Sequence, residues 1–225
     1  YNAALGGIDV PLAGVETAKA LTVRVKLDGT PYENSWSIWV YPAGIGPQFG
    51  EVVYTRDFGE ARRRVAEGRK VLFNPDWRKL KGVEGKFVPV FWSPVHFPAQ
   101  AGSMGVLCDP DHPVFAAFPT AIHSDWQWWD LCKRSVAMVT DSIRGGTPLV
   151  EMVDNFTNNR RLATLYEGRV GKGELVIASF DLQSDLDDRP VARQMLCSIL
   201  AYMNSDRFDP EPIANPEVIG ELMKQ

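Results

Sequence analysis

Cysteine and histidine are scarce in these 225 residues, with three of each. Cys108, Cys132 and Cys197 are too few and too scattered for a disulfide framework, and none belongs to a CxxC pair. They read as small buried apolar residues, which leaves the redox compartment open. His96, His112 and His123 make no H-x-x-x-H pair and stand beside no cysteine at ligand spacing, so no metal site is expected. No apolar stretch reaches the roughly 18 residues that span a bilayer. Basic charge is also short. A net charge of −4 argues against a phosphate-backbone partner, because counterion release needs a basic surface. The one dense basic run, Arg62-Arg63-Arg64, falls inside a helical pattern and reads as a solvated helix face, not a nucleic-acid patch. The chain opens on Tyr1-Asn2-Ala3, without a start methionine, basic n-region or apolar h-region. It reads as a fragment or processed product of a longer protein.

The usual catalytic signatures are missing as well. A dinucleotide or phosphate site needs a glycine-rich turn between the first strand and its helix. The turn here is Thr55-Arg56-Asp57-Phe58-Gly59, with one glycine and an acid where phosphate would sit. No nucleotide cofactor, and no cofactor of any other kind, is expected. Cys108 is the one candidate for a nucleophile elbow, but Asp109-Pro110-Asp111 follows it and gives no immediate helix start. His112 and His123 are near enough in sequence to serve as bases; the favoured reading is a buried thiol ending a strand. Asp181, Asp185, Asp187 and Asp188 cluster after a strand, where glycoside hydrolysis would place paired carboxylates. Four acids ahead of a helix also describe an exposed, electrostatically favourable helix N-terminus, and that reading is preferred. No catalytic residue is assigned.

What is present is an ordinary globular composition, 45% hydrophobic and 23% charged, enough to bury a core without disulfides or metals. Leu21–Leu27 alternates apolar and polar residues, Asp28-Gly29 signals a turn, and Trp36–Tyr41 alternates again. Two strands make no stable sheet alone, so residues 1–42 are expected to finish a β-sandwich whose other strands lie upstream. Residues 43–50, rich in glycine and proline, read as a linker. From residue 51 strands and helices alternate. Strands are expected at 51–55, 70–73, 87–92, 136–140, 149–153, 162–170 and 174–179. Helices are expected at 58–69, with Asp57 and Glu60 as a capping box, at 114–118, after Ser124 or Asp125, and at 189–205. Gly171-Lys172-Gly173 reads as a tight hairpin turn. This rhythm predicts an α/β domain over 51–208, three-layered, flavodoxin-like or Rossmann-like, with a mostly parallel sheet. Residues 209–225, with a short helical candidate from Pro216, read as a tail.

Seven tryptophans are unevenly spread, and three crowd into His123-Ser124-Asp125-Trp126-Gln127-Trp128-Trp129. Tryptophan faces stack on pyranose rings, and large aromatics also anchor interfaces and cores. Sugar contact, domain interface and core packing all stay open for this segment. As a ligand site it would use His123, Asp125, Trp126, Trp128 and Trp129.

The runs Asn34–Pro42, Gly82–Pro94, Met104–Pro113, His123–Trp129 and Asp188–Arg193 resemble the C-terminal region of bacterial glycoside hydrolase family 2 proteins. Many of these are described as β-galactosidases or sugar-binding-domain proteins of gut Bacteroidetes. The resemblance covers nearly the whole chain from about residue 20. It implies that the catalytic barrel and its two glutamates lie upstream, and that 1–42 ends an immunoglobulin-like module. The domain after it is implied to be similar to class I glutamine amidotransferases without their nucleophile elbow or His-x-Glu pair. On this basis the expected function is a non-catalytic accessory domain of a glycosidase acting on glycans, the alternative being a carbohydrate-binding module. The expected partners are the upstream catalytic domains and a glycan, with no nucleic acid and no membrane span. A periplasmic or secreted location follows from the resemblance alone.

Overall fold

A computed structural model describes residues 6–87, 96 and 102–224. Strands β1 (Lys19–Lys26) and β2 (Glu33–Val40) form an antiparallel hairpin in which Leu21 faces Ile38 and Val23 faces Trp36. Gly29 closes the turn at φ 75°, a left-handed conformation that costs glycine no Cβ clash. Alternation puts Leu21, Val23, Val25, Trp36 and Ile38 on one face and Thr22, Arg24, Ser35 and Ser37 on the other. The apolar face is open: Val25 is 47% exposed and Trp36 51%.

The remaining strands form one sheet: β3 (Val53–Thr55), β4 (Lys70–Phe73), β5 (Val83–Glu84), β6 (Ser103–Leu107), β7 (Val136–Val139), β8 (Thr147–Asp154), β9 (Leu162–Val170) and β10 (Gly173–Ala178). Among the described residues three α-helices accompany them: α1 (Phe58–Ala66), α2 (Trp126–Cys132) and α3 (Pro190–Met203). The sheet is mixed, which corrects the expectation of a mostly parallel one. Among the described strands β3–β4 and β4–β10 pair in parallel, while β10–β9, β9–β8, β9–β7, β8–β6 and β5–β7 are antiparallel. Connection length explains this. A parallel pair needs a crossover of about a dozen residues, and α1 supplies one between β3 and β4. The turn at Gly171, with φ 61°, is far too short for a crossover and folds β10 straight back on β9.

Helix α1 shows how local sequence sets its ends. Asp57 Oδ1 accepts from the Glu60 backbone N–H at 2.7 Å, as a cap should. The reciprocal half of the expected capping box is absent, because the Glu60 carboxylate accepts instead from Thr55 Oγ1 at 2.9 Å. The helix stops at Ala66, three residues before the expected Arg69. Gly68 at φ 82° and Arg69 return their N–H groups to Val65 and Arg64, a Schellman stop. The expected helix at 114–118 is a 3₁₀ turn, Pro113–Phe115. The strand expected at 87–92 lies outside the described residues apart from Phe87, which bridges to Ser103.

Both sheet faces are covered, so the domain is α/β in three layers. On one face α2, α3 and the Pro113–Phe115 turn bury Phe118, Trp128, Phe180, Met195 and Leu165. On the other, α1 and residues 211–223 bury Phe73, Met138, Ile177, Ile213, Ile219 and Leu222. The stretch expected as a tail is therefore part of the second core. Arg169 N–H donates to Glu211 O and Ile213 N–H to Arg169 O, both at 2.8 Å, which runs this segment along β9. A 3₁₀ segment, Pro216–Leu222, then returns it to α1.

Candidate functional site

The aromatic segment builds α2, and the helix period sorts its side chains into different environments. Asp125 caps the helix: Oδ1 accepts from the N–H groups of Gln127 at 3.0 Å and Trp128 at 3.3 Å. Burial raises its carboxyl above the usual range, against the opposing pull of those hydrogen bonds and of His123. Trp128 points inward and is fully buried, its Nε1–H donating to Thr120 Oγ1 at 2.8 Å. Phe115, Phe118 and Phe180 surround its ring at 5.4–6.2 Å. It has no face left for a ligand, which removes Trp128 from the expected binding set. Trp129 is half-buried against the Phe87 ring at 5.6 Å, with Lys86 Nζ 5.8 Å from its centroid. Trp126 is 77% exposed and His123 is exposed, so only these two of the five stand fully open to solvent.

Gln127, between them, ties the hairpin module to the helix. Its Oε1 accepts from Tyr41 Oη at 2.7 Å, while its Nε2 donates to Pro119 O at 2.8 Å. The Tyr41 ring stacks on Phe118 with centroids 6.4 Å apart. Burial, then the nearby Asp125 and Asp130, push the Tyr41 phenol above its ordinary range and keep it a neutral donor.

Below α2 lies a charged cluster shared with the loop after β10. Arg189 is 6% exposed and sits between Asp130 and Asp181, with Nε 3.5 Å from Asp130 Oδ2 and Nη1 3.6 Å from Asp181 Oδ2. Its Nη1 also donates to the backbone oxygens of Asp181 at 2.8 Å and Ser184 at 3.1 Å. Arg134 bridges Asp181 and Asp185. Burial alone would raise Asp181, but hydrogen bonds from Ser184 and Gln183 and the Arg189 charge outweigh it and hold the carboxyl below its usual range. Asp181, Asp185 and, at 3.9 Å, the fully exposed Asp187 are thus paired to arginines, whereas Asp188 makes no ion pair among the described residues. Asp181, buried between Arg189 and Arg134, fixes the loop beneath α2 and at the start of α3, which favours the structural reading of the loop over paired catalytic carboxylates.

Two buried polar groups carry little signal in the sequence. Asn74, fully buried at the end of β4, donates to the carbonyls of Ala178 and Phe180, both at 2.8 Å. Its Oδ1 accepts from Tyr54 Oη at 2.9 Å and from Gln183 Nε2 at 3.0 Å. Carboxyl ends of parallel strands are where open α/β sheets hold ligands; here the chain's own Gln183 occupies that place. Burial chiefly pushes the Tyr54 phenol up to about 12. Only the Asn74-Pro75 pair marked this site, and it reads equally as a strand stop. The second is Glu167, 4% exposed in the middle of β9, accepting from Tyr202 Oη at 2.9 Å. A lone acid directly after the mainly apolar run Leu162–Tyr166 is its signal.

Cys108 carries no thiol machinery. Its Sγ is buried, donates to Ala121 O at 3.4 Å, and is pushed up to about 11 by desolvation. His112 turns away: Nδ1 accepts from Val114 N–H, and its ring meets the Tyr202 edge at 5.2 Å. Among the described residues no group of three or more His, Cys, Asp or Glu is placed to hold a metal. No helix among them is long and apolar enough to cross a membrane.

Comparison with known families divides the chain at the same place as its architecture. No curated protein matches it. Residues 1–42, the hairpin module, match a family described as Domain of unknown function (DUF8488). Residues 53–224, from β3 through the buried C-terminal segment, match a second family, and the chain accordingly belongs to the family described as Domain of unknown function (DUF8487).

Proposed function

We propose that this chain is a non-catalytic accessory region that packs against further domains of a longer, carbohydrate-active polypeptide. The observation that carries the reading is the open apolar face of the β1–β2 hairpin. Two strands with Leu21, Val23, Val25, Trp36 and Ile38 on one side form a layer that needs a second layer above it. The Tyr41–Gln127 bond and the Tyr41–Phe118 stack hold that hairpin to the α/β domain, so load on one reaches the other. In this reading the hairpin completes an immunoglobulin-like sandwich, and the parallel trio β3–β4–β10 is the surviving part of a flavodoxin-like, amidotransferase-like order. The glycosidase assignment, family 2 and β-galactosidase-type, and a periplasmic or secreted location rest on the sequence resemblance. Deleting residues 50–225 from the longer polypeptide is expected to lower its melting temperature or break its assembly. A panel of aryl β-glycosides is expected to be hydrolysed by that polypeptide and not by this chain. An unchanged melting temperature and oligomeric state after deletion would refute the accessory role, and turnover by this chain would refute its non-catalytic character.

A carbohydrate-binding role is the second reading, and the exposure of Trp126 favours it. A bare indole on the first turn of a helix, with His123 close by in sequence, offers a stacking face and a polar partner. Galactosides are then expected to quench tryptophan fluorescence saturably, with the response abolished in Trp126→Ala. No response across the millimolar range sinks this reading.

A further inference from the structure

Between α1 and the 3₁₀ segment Pro216–Leu222 the second sheet face is left open as a groove of about 510 Å³. Its floor is Phe73 and Leu175; Phe58 and Ala66 line one wall and Ile219 the other. The groove exists because both covering elements are slight. α1 runs only nine residues before its Gly68 stop, and the opposite wall is a thin 3₁₀ segment. Gly220 sets the width: a Cβ there would stand 3.3 Å from the Phe58 ring. Two charges mark the mouth, Arg62 on α1 and Glu217 opposite. Arg63 and Arg64 are paired with Glu60 and Glu67, whereas no ion pair holds Arg62 among the described residues.

We propose that this groove binds a small amphipathic anion, its aromatic or branched apolar body lying against Phe58 and Val170 and its acidic head at Arg62. The volume falls in the range of roughly 300–1,000 Å³ typical of small-molecule sites, which are apolar with a few placed polar groups. Phe58, half-buried, presents aromatic surface to the groove and is backed by the buried Phe73, with centroids 5.9 Å apart and tilted by 52°. The unpaired Arg62 supplies charge complementarity for the head. Glu217 repels an anion from the other rim, so the two charges fix one orientation.

Anilinonaphthalene sulfonate and phenylnaphthylamine, the same ring system without the sulfonate, test this by fluorescence titration of the intact chain. Saturable binding of both at one site is expected. Ala66→Phe, which fills the groove from an exposed position on α1, weakens both by about tenfold or more. Arg62→Glu weakens the sulfonate by about fivefold, the weight of an exposed charge contact, and leaves the neutral probe unchanged. Melting temperatures within a few degrees of wild type establish that the variants fold, and Gly220→Val is the substitute if Ala66→Phe does not. The absence of saturable binding, or binding indifferent to the groove-filling variant, overturns the site. An equal response of both probes to Arg62→Glu overturns the assignment of an anion. Binding that appears only for a protein domain, with neither probe saturating, makes the groove an interface and the proposal wrong.

Discussion

Glu167 should make the fold pH-dependent in a way that one substitution isolates. Its carboxyl is 4% exposed, and its one hydrogen bond comes from Tyr202 Oη. Desolvation, with Glu174 nearby adding like charge against the helping Tyr202 bond, pushes its pKa up to about 7 from an ordinary 4.5. A carboxyl raised on folding binds its proton more tightly in the native state. The stability it contributes is complete below the unfolded value and is lost as pH rises through about 7. Between about pH 5 and about pH 8.5 that loss is about 2.5 kcal/mol, or a fall of roughly 5–10 °C in melting temperature for a chain of this size. Glu167→Gln keeps the volume and an acceptor for Tyr202 but cannot ionise. Its new amide N–H groups carry a pH-independent cost of about 1–2 kcal/mol if they find no acceptor. The quantity to measure is therefore the difference between variant and wild type in urea unfolding, followed across pH. All other titrating groups cancel in it. The variant should gain about 2.5 kcal/mol on wild type from the acid to the alkaline end. A difference that stays flat would show that Glu167 keeps its charge in the folded chain and refute the reasoning.

Three further outcomes are expected. Arg189→Met removes the buried cation shared by Asp130 and Asp181, leaving each with one partly exposed partner, Lys133 and Arg134, and should cost about 3 kcal/mol in chemical denaturation; a cost below about 1 kcal/mol would mean water already screens the cluster. Trp128→Ala should cost about 3–5 kcal/mol through the cavity it leaves, against less than about 0.5 kcal/mol for Trp126→Ala on the same helix. Cys108, with its thiol pushed up to about 11, should resist iodoacetamide at neutral pH until denaturant is added. Rapid labelling of the folded chain would instead place the sulfur in solvent.

The elements that local chemistry dictates were legible in the sequence. Alternation located β1 and β2, Asp57 and Gly68 bounded α1, and Pro190 opened α3. What escaped was set by pairing partners far along the chain. Whether β9 pairs antiparallel with β8 and β10 depends on connection length and on which strand is free, and periodicity carries neither. The same reason hid the role of residues 211–223. Ile213, Ile219 and Leu222 look like scattered apolar residues in a proline-containing tail until β9 and α1 are there to receive them. In the candidate site, Asp125 was legible as a cap, but the fates of Trp126 and Trp128 were not. Two positions apart on a helix they point about 200° from each other, and the sequence does not say which direction is inward.

Polar residues in this domain are spent on holding chain segments to one another. Gln183 fills the crevice beyond Asn74, where a ligand would otherwise meet the strand ends. The aspartates of 181–187 are drawn onto Arg134, Arg189 and Arg193, and Gln127 is held between Tyr41 and Pro119. Groups committed in this way are poor acids, bases or nucleophiles, because moving a proton or a ligand among them means first breaking the contacts that position the loop. Surfaces without such commitments lie elsewhere: the apolar hairpin face, the Trp126 indole and the groove beside Arg62. All three are mainly apolar or aromatic, with few charged groups at their edges, which suits docking and binding. That contrast, between polar groups held in contacts that join chain segments and open apolar surfaces, is the physical basis for proposing that the chain binds and supports.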